Sequence, residues 1–188
     1  TLALLPIAVA TVTNDVVFLD MAPDSFDDQY RDCGPAMTEE LLALNRSDLE
    51  QNPLFAQVWV KAAAEWQSQR APVSPLSPAQ AIAITAYTMK EVYEKFNAAV
   101  RTVGRSSQVY RDKFHFKTLH FLLTQALVTL KEAQKRQCHE VFLEVCGYWF
   151  EAQPGATVRF GKFVPMGINE RTSECEGTET LFKVHTCH

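Results

Sequence analysis

The apolar residues of this chain change their period near Cys138, and few folds accommodate such a change. Before it they recur at helical spacing: Phe55, Val58, Trp59, Ala62 and Trp66 fall on one helix face. After it, Glu140 to Val145, Tyr148-Trp149-Phe150, Ala156 to Phe163 and Thr180 to His185 are β-branched or aromatic and alternate near period two. The pattern predicts an α+β fold, with a helical N-terminal part packed on a mostly antiparallel β-sheet. The boundary near Cys138 reads as a change of layer within one domain.

Local signals predict the element ends. Pro35 to Leu44 reads as one helix. Asn52 suits a cap, with Pro53 at the first helical position. Arg70 to Pro78 is a loop, because its three prolines remove donors and restrict the residues before them. A helix then runs from Pro78 through Tyr87 with Ser77 as cap, and another from Lys90 to Val103, stopped by Gly104. Phe114 to Glu132 reads as the longest and most apolar helix, and Pro154-Gly155 as a turn.

A length of 188 residues allows one domain with a real core, and 47% hydrophobic against 21% charged residues is ordinary for a globular chain. A net charge of -4 argues against a nucleic-acid partner. No apolar run reaches the roughly 18 residues of a spanning helix. Residues 1–10 are apolar and end in Ala8-Val9-Ala10, a small-x-small pattern; they read as the remnant of a secretory signal peptide, or else as a buried first strand. Residues 11–188 form the domain. Five cysteines suit the oxidising compartment that a signal peptide implies, and their odd number leaves a thiol without an internal partner. Asn45-Arg46-Ser47 makes Asn45 a glycosylation candidate in a secreted chain.

Several chemistries fail on their residues. There is no G-x-S-x-G nucleophile elbow for Ser106 or Ser107, and His115 and His120 sit among Phe114, Phe116, Leu119 and Phe121, where packing or a hydrogen bond explains them. Asp24, Asp27 and Asp28 lack the order of a calcium loop, and Asp24-Ser25 reads as a turn or cap. Cys138-His139 and Cys187-His188 lack chelate spacing, so no metal is expected.

Four stretches carry a resemblance. They are Ala22-Pro23-Asp24-Ser25-Phe26-Asp27-Asp28-Gln29-Tyr30; Asn52 to Trp59 running to Ala64-Glu65-Trp66; Phe114 to Thr124; and Gly155 to Phe163. Together they resemble the vertebrate arginine-specific mono-ADP-ribosyltransferases of the secretory pathway. The resemblance implies an ADP-ribosyltransferase-like fold, transfer of ADP-ribose from NAD, arginine-bearing acceptor proteins as partners, and a secreted or cell-surface location. A lipid anchor is compatible with it.

Transfer needs a cation on the pyrophosphate, a hydroxyl that orients a carboxylate, and that carboxylate against an oxocarbenium-like ribose. The resembled family supplies Arg in Val-Phe-Arg-Gly, Ser in a Ser-rich turn, and Glu-x-Glu on a later strand. The matching stretches here are Val141-Phe142-Leu143-Glu144 and Val164-Pro165-Met166-Gly167-Ile168, so Leu143 and Pro165 stand where the family has Arg and Ser. The Glu-x-Glu strand would lie beyond His188, which predicts an incomplete sheet with an exposed edge along the strand ending at Cys187. Glu174-Cys175-Glu176 copies the spacing but reads as a solvated loop. The resemblance places Tyr87, Glu144, Lys162 and Phe163 near the nucleotide; Tyr87 reads equally as a core aromatic, and Phe163 as sheet filling. It also joins Cys138 to Cys187 by a disulfide and leaves Cys33 free, while Cys146 and Cys175 could pair if geometry allows. The alternative to an active transferase is a non-catalytic binding domain, or a truncated product, of the same fold.

Overall fold

The computed structural model describes residues 15–68, 75–134, 138–169 and 179–187. The expectations for residues 1–10, for Cys175 and the Glu174-Cys175-Glu176 triplet, and for most of the proline loop lie outside them. Among the described residues the order is β1 (Asp15–Phe18), α1 (Gly34–Glu39), α2 (Leu41–Gln51), α3 (Pro53–Ser68), α4 (Pro78–Thr88), α5 (Lys90–Val103), α6 (Ser107–Lys113), α7 (Lys117–Ala133), β2 (His139–Cys146), β3 (Tyr148–Glu151) and β4 (Glu179–Thr186).

Side-chain caps set the helix starts. Asn52 Oδ1 accepts the Phe55 N–H at 3.1 Å, with Pro53 opening α3. Ser77 and Gln80 form a reciprocal capping box at α4. At α7 the cap comes from another helix: buried Asp48 of α2 accepts the Thr118 N–H at 2.8 Å. The expected Pro35–Leu44 helix is two helices that break at Glu40. The expected Phe114 helix begins at Lys117, and the short α6, capped by Ser106, precedes it.

The helices bury Phe55, Val92, Phe96, Val100, Phe114 and Leu119 almost completely. The core is aromatic, with Phe96 contacting Phe114 and Phe116, and Phe55 contacting Phe116 and Trp59. Edge and offset arrangements of this kind add to the area term.

The β layer holds two pairs. β2 and β4 are antiparallel with Leu143 opposite Phe182, whereas β1 and β3 are parallel with Val17 opposite Phe150. Phe182 packs on Phe150 and Phe160 at 5.0 and 5.1 Å. The Cys138–Cys187 disulfide closes the far end of β2 and β4, Cys146 is also disulfide-bonded, and Cys33 is free and exposed. Among the described residues the strand partner of β4 is β2, and Thr180 Oγ1 of β4 also donates to Tyr148 O of β3 at 2.9 Å. The expected strand Ala156–Phe163 does not form. That segment is extended, but its backbone bonds run to the 19–30 segment, with Arg159 N–H donating to Asp20 O at 2.8 Å.

Residues 19–30 form a strap across both layers. Phe26 N–H donates to Val100 O and Gly104 N–H to Asp24 O, which fastens the strap to α5. Ser25 Oγ donates to Gly161 O, Arg159 pairs with Asp27, and Leu19 N–H donates to Glu151 O, which fasten it to the β side. Gly104 ends α5 as expected, with an ordinary right-handed φ of -68, so a left-handed conformation is not why glycine stands there. A Cβ there would come within 2.8 Å of Asp24 O and closer still to Ser25 O. Glycine is required by the approach of the strap.

Candidate functional site

β2 is bonded on both edges. β4 lies along one; on the other, Phe142 N–H donates to Gly167 O at 2.7 Å and Gly167 N–H to Phe142 O at 2.9 Å. This bridge draws the 164–168 turn against β2 and opens a cleft of about 460 Å³ between them, lined by Leu143, Glu144, Pro165, Met166, Asn169 and Leu181. Three positions singled out in the sequence, Leu143, Glu144 and Pro165, thus share one cleft. Of its described lining residues, Glu144 carries the charge and Asn169 the side-chain donor. The nearby Lys183 is 3.0 Å from Glu140 and lies over the Phe142 ring.

Tyr87 and Phe163 lie elsewhere. Tyr87 is buried in α4; its hydroxyl donates to Phe163 O at 2.8 Å and accepts from Asn97 Nδ2 at 3.3 Å. Burial pushes that phenol up to about 12. The Phe163 ring meets Phe96 at 5.6 Å and His120 at 5.3 Å. Both rings pack among helices, so Phe163 does not fill a sheet face, and the pair anchors the segment that leads to Pro165. Lys162 is half-buried, and burial together with Arg101 holds its ammonium below its ordinary value. Asn45 lies within α2, half-buried, its Oδ1 without a hydrogen-bond partner.

His120 holds the strap from inside. It is 1% exposed, with Nδ1 2.8 Å from Tyr30 Oη and Nε2 3.3 Å from Phe26 O. The sequence placed His120 on a packing face, as found, but not its partner Tyr30, which has a positive φ of 54. The Asp/Ser turn chemistry of residues 24–28 was the available signal for a constrained strap. A second cleft, of about 580 Å³, opens beside Phe18, Met21, Glu151 and Val158, and no sequence candidate lines it.

A helical layer strapped to paired strands, with a cleft beside the central strand, is the architecture of a mono-ADP-ribosyltransferase. The crystal structure of the eukaryotic mono-ADP-ribosyltransferase ART2.2 matches with a TM-score of 0.74 and 30% identity, over 91% of this chain and 76% of that one. An ART2.2 mutant in complex with NAD matches at 0.72 with 29% identity and the same coverage. The family described as NAD:arginine ADP-ribosyltransferase matches residues 19–188, and the chain belongs to it. The erythroblast NAD(P)(+)–arginine ADP-ribosyltransferase of Gallus gallus is 48% identical over 176 residues, 92% of this chain and 58% of the relative. The GPI-linked NAD(P)(+)–arginine ADP-ribosyltransferase 1 of Homo sapiens is 39% identical, over 97% of this chain and 61% of the relative. The chain therefore spans little more than half the length of these relatives.

Proposed function

We propose that the protein belongs to the reaction of its relatives, transfer of ADP-ribose from NAD to arginine side chains of proteins, with the cleft beside β2 as the nucleotide site. The observation that carries this reading is the convergence of Leu143, Glu144 and Pro165 on one cleft, because these positions correspond by resemblance to the family's phosphate-binding and hydroxyl positions. ART2.2 has been crystallised with NAD, which supports NAD as the ligand sought. A secretory or cell-surface location is supported by the Cys138–Cys187 disulfide, which persists in oxidising compartments, and by the GPI-linked human relative. No described helix is long and apolar enough to cross a membrane.

The same residues favour a second reading, a domain that keeps the cleft but has lost turnover. Leu143 offers no hydrogen bond to a phosphate, and Pro165 offers neither hydroxyl nor N–H. Glu144 adds negative charge, and at an effective dielectric near 20 a charge at ~4 Å is worth about 4 kcal/mol of either sign. Removing a single electrostatic donor from such a site costs about 10²–10³ in rate.

Calorimetry with NAD, combined with a transfer assay on a small guanidine acceptor, separates the readings. Binding and transfer by the natural chain support the first. Binding without transfer by the natural chain, or binding gained only by Leu143→Arg/Pro165→Ser, supports the second. If neither protein binds NAD, the cleft is not the nucleotide site.

A further inference from the structure

The other end of the β2/β4 pair carries a second chemical cluster. Cys138, His185 and Cys187 place their ligand atoms within 4.8 Å of one another. Register explains why. Glu140 lies opposite His185 and His139 opposite Thr186, and the disulfide joins Cys138 to Cys187 one step further on. Side chains two apart on a strand share a face. His185 and Cys187 therefore stand side by side on β4, with Cys138 across from them, and all three are exposed. Glu140 shares the face but is engaged by Lys183 at 3.0 Å.

In the oxidised chain the two sulfurs are bonded to each other and cannot ligate. We propose that reduction of the Cys138–Cys187 disulfide turns this corner into a binding site for a thiophilic divalent cation, zinc above all, held by two thiolates and the His185 imidazole with water in the fourth position. The chemistry balances with an external thiol as reductant: two thiols give up two electrons and two protons, become a disulfide, and leave two cysteine thiols. A divalent ion then displaces two protons from those thiols. Tetrahedral zinc, with Zn–S of about 2.3 Å and Zn–N of about 2.0 Å, keeps its ligand atoms about 3.5 Å apart. The three ligand atoms already lie within 4.8 Å of one another, and once the disulfide is cut the two sulfurs are free to separate towards that distance. The ligand set mixes a His-x-Cys pair on one strand with a cysteine from its neighbour, so no C-x-x-C spacing announces it in the sequence. In this scheme the β2/β4 end is clamped by a covalent bond when oxidised and by a metal when reduced.

The test uses the full 188-residue chain, reduced anaerobically with a small-molecule thiol that is then removed by gel filtration, and titrated with cobalt(II) as a spectroscopic stand-in for zinc. The expected result is saturable thiolate-to-cobalt charge-transfer absorption in the reduced chain, none in the oxidised chain, and its displacement by zinc. His185→Ala, which leaves the disulfide in place for folding, is expected to weaken binding at least ~10-fold, since even outer-shell partners of a metal cost that much. Cys138→Ser/Cys187→Ser is expected to abolish the absorption. The proposal is overturned if reduction yields no such absorption, whether or not the chain stays folded. It is equally overturned if the absorption survives in Cys138→Ser/Cys187→Ser or if His185→Ala binds as tightly as the natural chain.

Discussion

The carbonyl of Phe26 can only accept, so the hydrogen on His120 sits on Nε2 and leaves Nδ1 to accept from the Tyr30 hydroxyl. A second proton, on Nδ1, would displace the hydrogen that Tyr30 now donates and would place a charge in a site sealed by Phe96, Phe114 and Phe163. Burial accordingly pulls the imidazole down from its ordinary 6.5 to about 4. In the interval between those values the unfolded chain binds the proton and the folded chain does not. The contribution to stability is complete above pH 6.5 and is lost as pH falls towards 4, a change of about 3 kcal/mol. Urea unfolding at several pH values is expected to show this loss in the natural chain and to show it much reduced in His120→Gln. The same slope in both would remove His120 as its source. The two glycines against which the strap packs test a different property. Gly104→Ala introduces no strain in φ but drives a methyl into backbone, and a cost of about 1–3 kcal/mol is expected. Gly161→Ala, with φ of 62 and Ala22 Cβ at 2.6 Å from the added atom, combines strain with crowding and is expected to cost more. Thermal unfolding of the two variants ranks them.

At the scale of elements, α7 depends on α2 for its start. Phe116 occupies the N-cap position and makes no side-chain cap bond, and the buried Asp48 carboxylate serves instead. Burial raises the Asp48 carboxyl above its ordinary value, against the opposing pull of the Thr118 bonds and of Lys117 and His115. Asp48→Ala leaves the Thr118 N–H without its partner and is expected to cost about 1–3 kcal/mol. Asp48→Asn keeps an acceptor and removes a buried charge, so at neutral pH it is expected to fall well short of that loss, measured by denaturant midpoint. Helices with their own caps were legible for the same reason that this one was not. Asn52, Ser77 and the Lys90–Val103 pattern act within a few residues of what they control, whereas Asp48 acts across the fold. Ala156–Phe163 misled because alternation reports two environments, not a ladder partner: Phe160 turns to Phe182 while Phe163 turns to the helical core. The cleft was legible residue by residue in Leu143, Glu144 and Pro165. Their meeting was not, because it depends on the long-range Phe142–Gly167 bridge.

Across the whole molecule, the strap, the core and the cleft form one mechanical series. His120 and Phe96 hold Phe163, Tyr87 holds its carbonyl, and a few residues later the chain reaches Pro165 and the Gly167 bridge to β2. The scaffold that presents the cleft is thus fixed by buried aromatics and by the 22–30 segment, independently of which side chains line it. Substitutions in the lining should therefore alter ligand electrostatics while leaving the fold unchanged. A dinucleotide pyrophosphate is anionic, the cleft carries Glu144, and the chain as a whole is at -4. Leu143→Arg/Glu144→Gly replaces that charge with one of opposite sign, and at 1.4 kcal/mol per decade even a third of the ~4 kcal/mol available to one close pair gives about tenfold tighter NAD binding. The gain is expected to shrink as salt is raised, because the cleft is open to solvent and its charges are screened. Calorimetry at low and high salt, with the melting temperature of the variant measured alongside, checks both parts. A gain in affinity that ignores salt would mean that the new side chains act by reshaping the cleft, and an unchanged affinity would move the nucleotide away from β2.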